Sequence, residues 1–191
     1  TAGDQHTCAV LDDGTVSCWG RNQYGELGDG TRTSRSSPTQ TIALGRPAVA
    51  VESGFDFSCA LMDNGSVMCW GRNNHGQLGR GYSDTDAHLG SPTPMYTMPL
   101  PSGRYAKSID ISHYHACAVL DDGSVACWGS GTNYRLGTGT LSNKNVPTQI
   151  AFFNSSNPAA DVALGRWSSC GLLENGSVTC WGKGWLGTGN Q

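Results

Sequence analysis

Four segments that begin with cysteine and end in Cys-Trp-Gly recur along this 191-residue chain. The first is CAVLDDGTVSCWG, residues 8–20, and the other three begin at Cys59, Cys117 and Cys170. In each segment the two cysteines are ten positions apart, and the four segments together contain all eight cysteines. A spacing repeated in this way predicts the same local fold in each copy, so the chain is built from a repeated unit.

Each segment is typical of a β-hairpin in which the two cysteines face each other. The loop 12–14, Asp-Asp-Gly, suits a three-residue connection whose glycine adopts a positive φ. Counting outward from this loop places Cys8 opposite Cys18. Directly opposed residues of antiparallel strands have Cα atoms about 4.5–5.5 Å apart, which suits a disulfide. We therefore expect four disulfides, which pair Cys8 with Cys18, Cys59 with Cys69, Cys117 with Cys127, and Cys170 with Cys180.

Two other uses of the cysteines stay open at this point. Buried free thiols would pack as small apolar side chains. Zinc fits less well, because no C-x-x-C spacing occurs and each hairpin supplies only two ligands. His113 and His115 lie close to Cys117, but the other copies lose this pattern and no carboxylate stands ready to orient either ring. We predict no catalytic residue, no metal site and no cofactor.

The segments between the hairpins complete a repeat of about fifty residues. A glycine-rich stretch such as RNQYGELGDGT, residues 21–31, follows each Cys-Trp-Gly, and a Pro-Thr pair follows in the first three copies. An apolar run such as AVAVESG, residues 48–54, then leads to the next hairpin. No stretch has a helical period, so the pattern predicts an all-β fold of propeller blades.

The string GDQHTCAVLDDGTVSCWGRNQYGELGDGT, residues 3–31, resembles the repeat of the regulator of chromosome condensation family. That family builds seven-bladed β-propellers, and the resemblance extends over nearly the whole chain. Four hairpins, centred on 8–18, 59–69, 117–127 and 170–180, are fewer than a ring of seven needs. We expect one repeat domain over 1–191 that forms an arc or part of a larger ring, as a segment of a longer polypeptide.

The cysteines set this chain apart from the nuclear founder of the family, which has aliphatic or small residues at those positions. The chain resembles the secreted, disulfide-bearing variety, and disulfides persist in oxidising compartments. Three Asn-x-Ser sequons, at Asn64, Asn154 and Asn175, are candidate glycosylation sites. We therefore expect a glycoprotein that is extracellular or held at the cell surface.

Charge and hydropathy argue against two classes of partner. The net charge is −3 and no block of like charge occurs, so a nucleic-acid-binding surface is not expected. Apolar runs are only a few residues long, so membrane insertion is not expected either. Paired carboxylates such as Asp12 and Asp13 fall at turn positions, where they cap their own backbone.

These features predict a non-enzymatic extracellular repeat protein that acts as a structural scaffold or protein-interaction module. Its partners would be proteins, including further repeats or further copies of itself in a surface layer or filament. The longest segment between hairpins, residues 82–108, offers Tyr82, Met95, Tyr96 and Met98 for partner contact. One alternative is a secreted lectin-like or inhibitor propeller. The founder's nucleotide exchange activity, or a chromatin-adaptor role, fits less well with four disulfides and an ordinary charge.

Overall fold

The computed structural model describes residues 1–86, 90–184 and 186. Within these residues fourteen strands form four antiparallel sheets, here called blades 1 to 4 in chain order. The strands of blades 1 and 2 are β1 (His6–Val10), β2 (Val16–Gly20), β3 (Arg35–Gln40), β4 (Ala48–Ser53), β5 (Phe57–Met62), β6 (Val67–Arg72) and β7 (Gly90–Tyr96). The strands of blades 3 and 4 are β8 (Ala106–Ile111), β9 (His115–Leu120), β10 (Val125–Gly129), β11 (Lys144–Gln149), β12 (Ala159–Leu164), β13 (Ser168–Leu173) and β14 (Val178–Gly182).

The all-β prediction is confirmed, and the only helical elements described are two short 3-10 turns, Pro101–Gly103 and Thr132–Tyr134. The Pro-Thr pairs lie within β3, β7 and β11, each of which pairs with only one neighbour at the edge of its sheet. Proline has no N–H to donate, so an edge position tolerates it. None of the described helical turns is long or apolar enough to cross a membrane.

The predicted register of the hairpins is confirmed. Cys8 faces Cys18 and Val10 faces Val16 across β1 and β2. Gly14 has a φ of 78° and donates to the Leu11 carbonyl at 2.8 Å, so the loop is a turn closed by a left-handed glycine. The Asp13 carboxylate accepts the Thr15 backbone N–H at 2.9 Å, which is the local capping expected of a turn aspartate.

All eight cysteines are paired in the four predicted disulfides, with Cα–Cα distances of 4.0 to 4.1 Å. The structure therefore contains neither the free thiols nor the zinc ligands that the spacing left open. Six of the eight cysteines are fully buried, while Cys170 and Cys180 in blade 4 are half-buried. Each disulfide joins the two strands of one hairpin within its blade.

Neighbouring blades stack through two faces of different composition, which we call the disulfide face and the tryptophan face. The disulfide face of blade 1 includes Cys8, Cys18 and Leu27, and it packs against Trp70 and Ala60 on the tryptophan face of blade 2. The same arrangement joins blade 2 to blade 3 and blade 3 to blade 4. The hydrophobic core thus consists of three clusters, one at each junction between described blades.

Polar contacts reinforce the stacking at each junction. The indole N–H of Trp70 donates to the Glu26 carbonyl at 2.7 Å, and Trp128 and Trp181 donate to the carbonyls of Gln77 and Arg135 at 2.9 and 2.8 Å. These acceptors occupy the same position in successive repeats, directly before Leu-Gly. The donor comes each time from the following blade, so each indole N–H is satisfied across a junction rather than within its own sheet.

A histidine and a serine also meet at two of the three junctions. His6 Nε2 lies 2.8 Å from Ser58 Oγ, and Ser58 Oγ donates to the Glu26 carbonyl at 2.9 Å. Since the serine has only one proton, His6 must be the donor and Nε2 must carry its hydrogen. Phe57 and Ala116 occupy the equivalent positions at the junction of blades 2 and 3, where both partners have become apolar.

Candidate protein-interaction face

The connections of the blades fall at two opposite ends of the sheets. One end, here called the loop face, carries residues 3–5, 54–56, 112–114 and 165–167 together with the described parts of the glycine-rich loops, 21–34, 73–86 and 130–143. The other end, the hairpin-tip face, carries the hairpin turns and the loops that lead into β4, β8 and β12. At every junction the loop face brings a glycine-rich loop of one blade against the short loop of the next.

The first junction on the loop face is an ion-pair cluster. Asp56 accepts from Arg21 and Arg72 at 3.0 and 2.9 Å, and both guanidinium groups lie over the Tyr24 ring. Glu26 is buried beneath, with Oε2 bonded to the Tyr24 backbone N–H at 2.7 Å and Oε1 without a partner. Burial raises the pKa of the Glu26 carboxyl. The positive charge of this junction is therefore largely compensated.

The second junction is aromatic. The Phe55 ring stacks on His113 with centroids 5.4 Å apart and an interplanar angle of 13°, and Tyr114 meets His75 edge-on at 5.4 Å. Burial is the main cause that lowers the pKa of both His75 and His113. The two imidazoles are accordingly neutral at physiological pH and act as flat, partly apolar rings.

The third junction combines arginine with tryptophan. The guanidinium groups of Arg135 and Arg166 lie 4.9 and 4.8 Å from the ring centroid of Trp167. Arg135 is 1% exposed and donates to the Thr132 and Arg166 carbonyls at 2.9 and 3.0 Å. Trp167 keeps 42% of its surface exposed. The three junctions therefore present three chemistries on one backbone framework.

The two histidines near Cys117 lie in different surroundings, because His113 is in the loop before β9 and His115 is the first residue of that strand. His113 is on the loop face, whereas His115 points into the junction, where Nε2 lies 2.9 Å from Ser169 Oγ. Burial lowers the pKa of His115 to about 3 and that of His6 to about 4. Ser169 Oγ donates to the Arg135 carbonyl at 2.8 Å, so its proton is committed to the framework. These serine–histidine pairs are built as structural contacts, not as a nucleophile and base.

The four residues predicted for partner contact are all exposed, by 43 to 50% of their surface. The structure does not bring them all together. Tyr96 and Met98 line a groove of about 330 Å³ at the hairpin-tip face, beside Asn64 and Tyr105. Met95 is in β7, and Tyr82 belongs to the loop before it, which contributes to the loop face. Residues 87–89 of the predicted segment lie outside the described residues.

The three sequons differ in their surroundings. Asn64 and Asn175 are exposed at hairpin tips, and each Oδ1 accepts the hydroxyl of the serine two positions later, at 2.7 and 2.6 Å. Asn154 is half-buried in the loop before β12, and its Nδ2 donates to the Ala151 carbonyl at 3.2 Å. Glycosylation of these residues stays a prediction.

Sequence reasoning missed the arginine–tryptophan cluster of the third junction. Arg135 and Trp167 are separated by more than thirty positions, and their contact depends on the stacking of two blades. One signal was available in the repeat itself. Arg135 stands where the earlier copies have Glu26 and Gln77, and a change from acid to amide to base at one repeat position indicates that the chemistry differs from junction to junction.

Three comparisons place the chain among known proteins. It is 34% identical over 189 residues to the ultraviolet-B receptor UVR8 of Arabidopsis thaliana, an alignment that covers 98% of this chain and 41% of the receptor. The crystal structure of human WBSCR16 superposes with a TM-score of 0.86 at 26% identity, covering 99% of this chain and 48% of that one. The ectodomain of the Physcomitrella patens receptor kinase CR4 superposes with a TM-score of 0.56 at 26% identity, covering 95% of this chain and 39% of that one.

The chain therefore spans about two fifths of the length of UVR8. Sequence models of the regulator of chromosome condensation (RCC1) repeat match residues 1–26, 48–77 and 106–135 in one version, and residues 64–119 and 122–172 in another. These matches cover the first three hairpins and the glycine-rich loops of blades 2 and 3, and they end at residue 172, within β13. The chain belongs to the RCC1 repeat family, and its four antiparallel sheets are β-propeller blades of that family.

Proposed function

We propose that this chain is a non-enzymatic, extracellular interaction module that holds protein partners on rigid, disulfide-braced blades. The observation that carries the proposal is the loop face, where the junctions fix aromatic and charged side chains on a covalently braced framework, buried or half-buried at the first two junctions and exposed at Arg166 and Trp167 of the third. Rigid scaffolds that present variable loops are a common basis of protein recognition. The partners are proteins, and neither nucleic acid nor a membrane is among them.

The absence of enzymatic activity is supported by the chemistry of the polar groups. Within the described residues, the two serine–histidine pairs are buried and hold neutral imidazoles, and no group of three potential metal ligands occurs. The grooves around the blades are lined by turn residues rather than by a positioned nucleophile and base.

The extracellular placement is supported by four disulfides and by the likeness to the ectodomain of a receptor kinase. Mass measurement of the protein purified from its native source, alkylated without reductant, tests it directly. We expect a mass with no alkylated cysteine. Eight alkylated thiols would place the protein in a reducing compartment and contradict this part of the proposal.

Self-association, or a continuation of the array by further blades of a longer polypeptide, is supported by blade 4. Its disulfide face leaves Leu172 and Val178 exposed by 41 and 64%, although the same face of blades 1 to 3 is covered by the next blade. A tryptophan face from a further blade is the surface that matches it. A surface layer or filament would use this contact repeatedly.

The groove beside Asn64 is our candidate for a second contact surface, since Tyr96 and Met98 line it and are exposed. Immobilised folded protein is incubated with the secreted proteins of its source, and each captured protein is purified and titrated. We expect the double variant Tyr96→Ser, Met98→Ser to weaken binding about tenfold, as loss of an apolar anchor does.

Leu11→Ser is the matched control, because Leu11 is 46% exposed beside the hairpin turn of blade 1, outside both the groove and the loop face. Its affinity for the same partner should stay within twofold of the unchanged protein. Equal affinity for the double variant and the control would exclude the groove as a contact surface. Failure of every captured protein to bind in purified form would count against the interaction function as a whole.

A further inference from the structure

The third junction of the loop face carries positive charge that no carboxylate neutralises. Five arginines of the chain pair with aspartates; they are Arg21, Arg35, Arg46, Arg72 and Arg104. Within the described residues, neither Arg135 nor Arg166 lies within ion-pair distance of a carboxylate. Both guanidinium groups nevertheless lie against the same indole ring, that of Trp167. Two like charges are thus held together at one site.

A third cation belongs to the same place. The backbone N–H of Lys183 donates to the Trp167 carbonyl at 2.9 Å, and the Lys183 side chain is exposed. Lys183 stands at the repeat position of Arg72, which in blade 2 pairs with Asp56. In blade 4 the position of Asp56 is taken by Trp167, so the cation has lost the anion that its counterpart contacts.

Arg135 makes the charge expensive to hold, because it is 1% exposed. Its hydrogen-bond partners are the carbonyls of Thr132 and Arg166 and the Thr132 hydroxyl at 2.7 Å, all neutral groups. Burial and the neighbouring Arg166 both lower the pKa of Arg135, which reflects the same unfavourable energy. An anion placed above Trp167 would relieve this repulsion, so the charge complementarity of the site is for an acidic group.

An aromatic surface adjoins this cationic site. Arg166 and Arg135 are close enough to His113 for their charges to lower its pKa, and His113 stacks on Phe55. Phe55 and His113 are both half-buried and line a cavity of about 290 Å³ at the ends of β4 and β8. Among the carboxylates of the loop face, Asp29 and Asp56 pair with arginines, and Asp4 lines the cavity, where its charge and that of Asp56 oppose the lowering of the His113 pKa.

From this geometry we propose that the loop face of blades 2 to 4 binds an acidic segment of a protein partner, with a carboxylate held by Arg166 and Lys183 over Trp167, beside the buried charge of Arg135, and a neighbouring apolar side chain on the Phe55–His113 stack. The inference rests on the proposed interaction function and names the chemistry of one partner. Lysine and arginine heads attract the acidic side chain, while the ring stack excludes water beside it.

Two fluorescein-labelled peptides test the proposal by fluorescence anisotropy on the folded, oxidised chain. One peptide contains glutamate, glycine and phenylalanine, and the other replaces each glutamate with glutamine. We expect the acidic peptide to bind at least tenfold more tightly, and Arg166→Gln or Lys183→Gln to weaken it about fivefold each. Phe55→Ser should weaken it as well, without changing the relative effect of Arg166→Gln.

Lys107→Gln is the matched control, because Lys107 is an exposed cation on β8 that forms no ion pair with any described residue. It should leave the affinity for the acidic peptide unchanged. Equal binding of both peptides, or equal losses for Lys107→Gln and Arg166→Gln, would overturn the proposal. Complete displacement of the peptide by inorganic phosphate at constant ionic strength would also overturn it, since the site would then take small oxyanions.

The outcome is separable from that of the interaction function in general. If a natural partner binds with equal affinity to the unchanged protein and to Arg166→Gln, the cationic site is excluded as its contact surface. The proposed interaction function of the chain would still stand. Binding of the acidic peptide with the expected losses would support this site even where a natural partner uses the groove at the hairpin-tip face.

Discussion

At the scale of single residues, the chain holds several carboxyl groups in places that resist ionisation. Asp110 on β8 is the strongest case, because burial raises its pKa to about 6 and Glu52 and Asp161 add negative charge nearby. Its Oδ2 accepts the Leu164 backbone N–H at 2.7 Å, and this hydrogen bond links β8 of blade 3 to β12 of blade 4. The hydrogen bond to Leu164 stabilises the folded state, whereas the negative charge of the buried carboxylate destabilises it.

We expect Asp110→Asn to stabilise the protein at pH 7.5 by about 1 kcal/mol, a value reduced from the pKa shift to allow for solvent screening. Because the pKa of Asp110 is raised in the folded state, protonation of its carboxyl stabilises the unchanged protein. That contribution is lost as pH rises through about 6, so the gain from asparagine is expected above this pH. Asparagine keeps the acceptor for Leu164 without the charge. Denaturant unfolding at pH 7.5 and pH 4.5 checks this; an equal gain at both values would contradict it.

Glu26 offers a second prediction, because the chain already contains its neutral counterpart. Gln77 accepts the His75 backbone N–H at 2.8 Å just as Glu26 accepts that of Tyr24, and its Nε2 donates to Asn74 Oδ1 at 3.3 Å. Glu26→Gln gives the buried, unpartnered Oε1 position a donor that can reach the side chain at position 23. We expect a gain of about 1 kcal/mol at pH 7 in thermal unfolding, with no gain at pH 4.

At the scale of elements, the unit of stability is the junction between two blades. The His6–Ser58 contact and the Phe57–Ala116 contact fill the same position at successive junctions, one polar and one apolar. Neither pair leaves a buried N–H or O–H donor without an acceptor, because His6 donates to Ser58 and Phe57 and Ala116 carry no polar side-chain atom. A histidine opposite alanine would leave a buried N–H without a partner, and such a group costs about 1–3 kcal/mol.

Ser58→Ala alone should therefore destabilise the protein by about 1–3 kcal/mol, whereas the double variant His6→Phe, Ser58→Ala should recover most of the loss. The double variant copies the pair that the chain itself uses at its next junction. A double-mutant cycle from urea unfolding gives the coupling energy between the two positions. Additive losses would mean that the two side chains do not act as a pair.

Much of the blade was predictable from sequence, because it depends on local spacing. The loop at Asp12 to Gly14 and the ten-residue cysteine spacing fix the hairpin register, which the structure confirms. The direction in which the disulfides face was not predictable, since alternation places them on one of two faces and only stacking decides which. The Arg135–Trp167 contact was missed for the same reason: it forms between residues of different blades.

At the scale of the whole molecule, four blades stack in one order, with each disulfide face against the next tryptophan face. Such an array gains stability from each junction and from each blade in turn. The disulfide face of blade 4 has Val178 exposed by 64%, and an apolar surface of this kind favours association.

Val178→Glu is expected to reduce concentration-dependent association of the isolated 191-residue chain without lowering its thermal midpoint, because the side chain is already exposed. Sedimentation velocity over a hundredfold concentration range measures the effect. Val49→Glu is the control, since Val49 is 58% exposed on β4 but belongs to a blade covered on both faces. Equal association of both variants and the unchanged chain would locate the contact elsewhere.

The carbonyls that receive the three indole N–H groups have a wider consequence. Every amino acid has the same backbone carbonyl, so the residue before Leu-Gly can accept the indole N–H whatever its side chain is. The indole hydrogen bond does not constrain that side chain, and the three repeats have Glu26, Gln77 and Arg135 at this position. The backbone contact therefore tolerates an acid, an amide or a base at this position, and the cost of each change falls on the side chain alone, as the buried charges of Glu26 and Arg135 show.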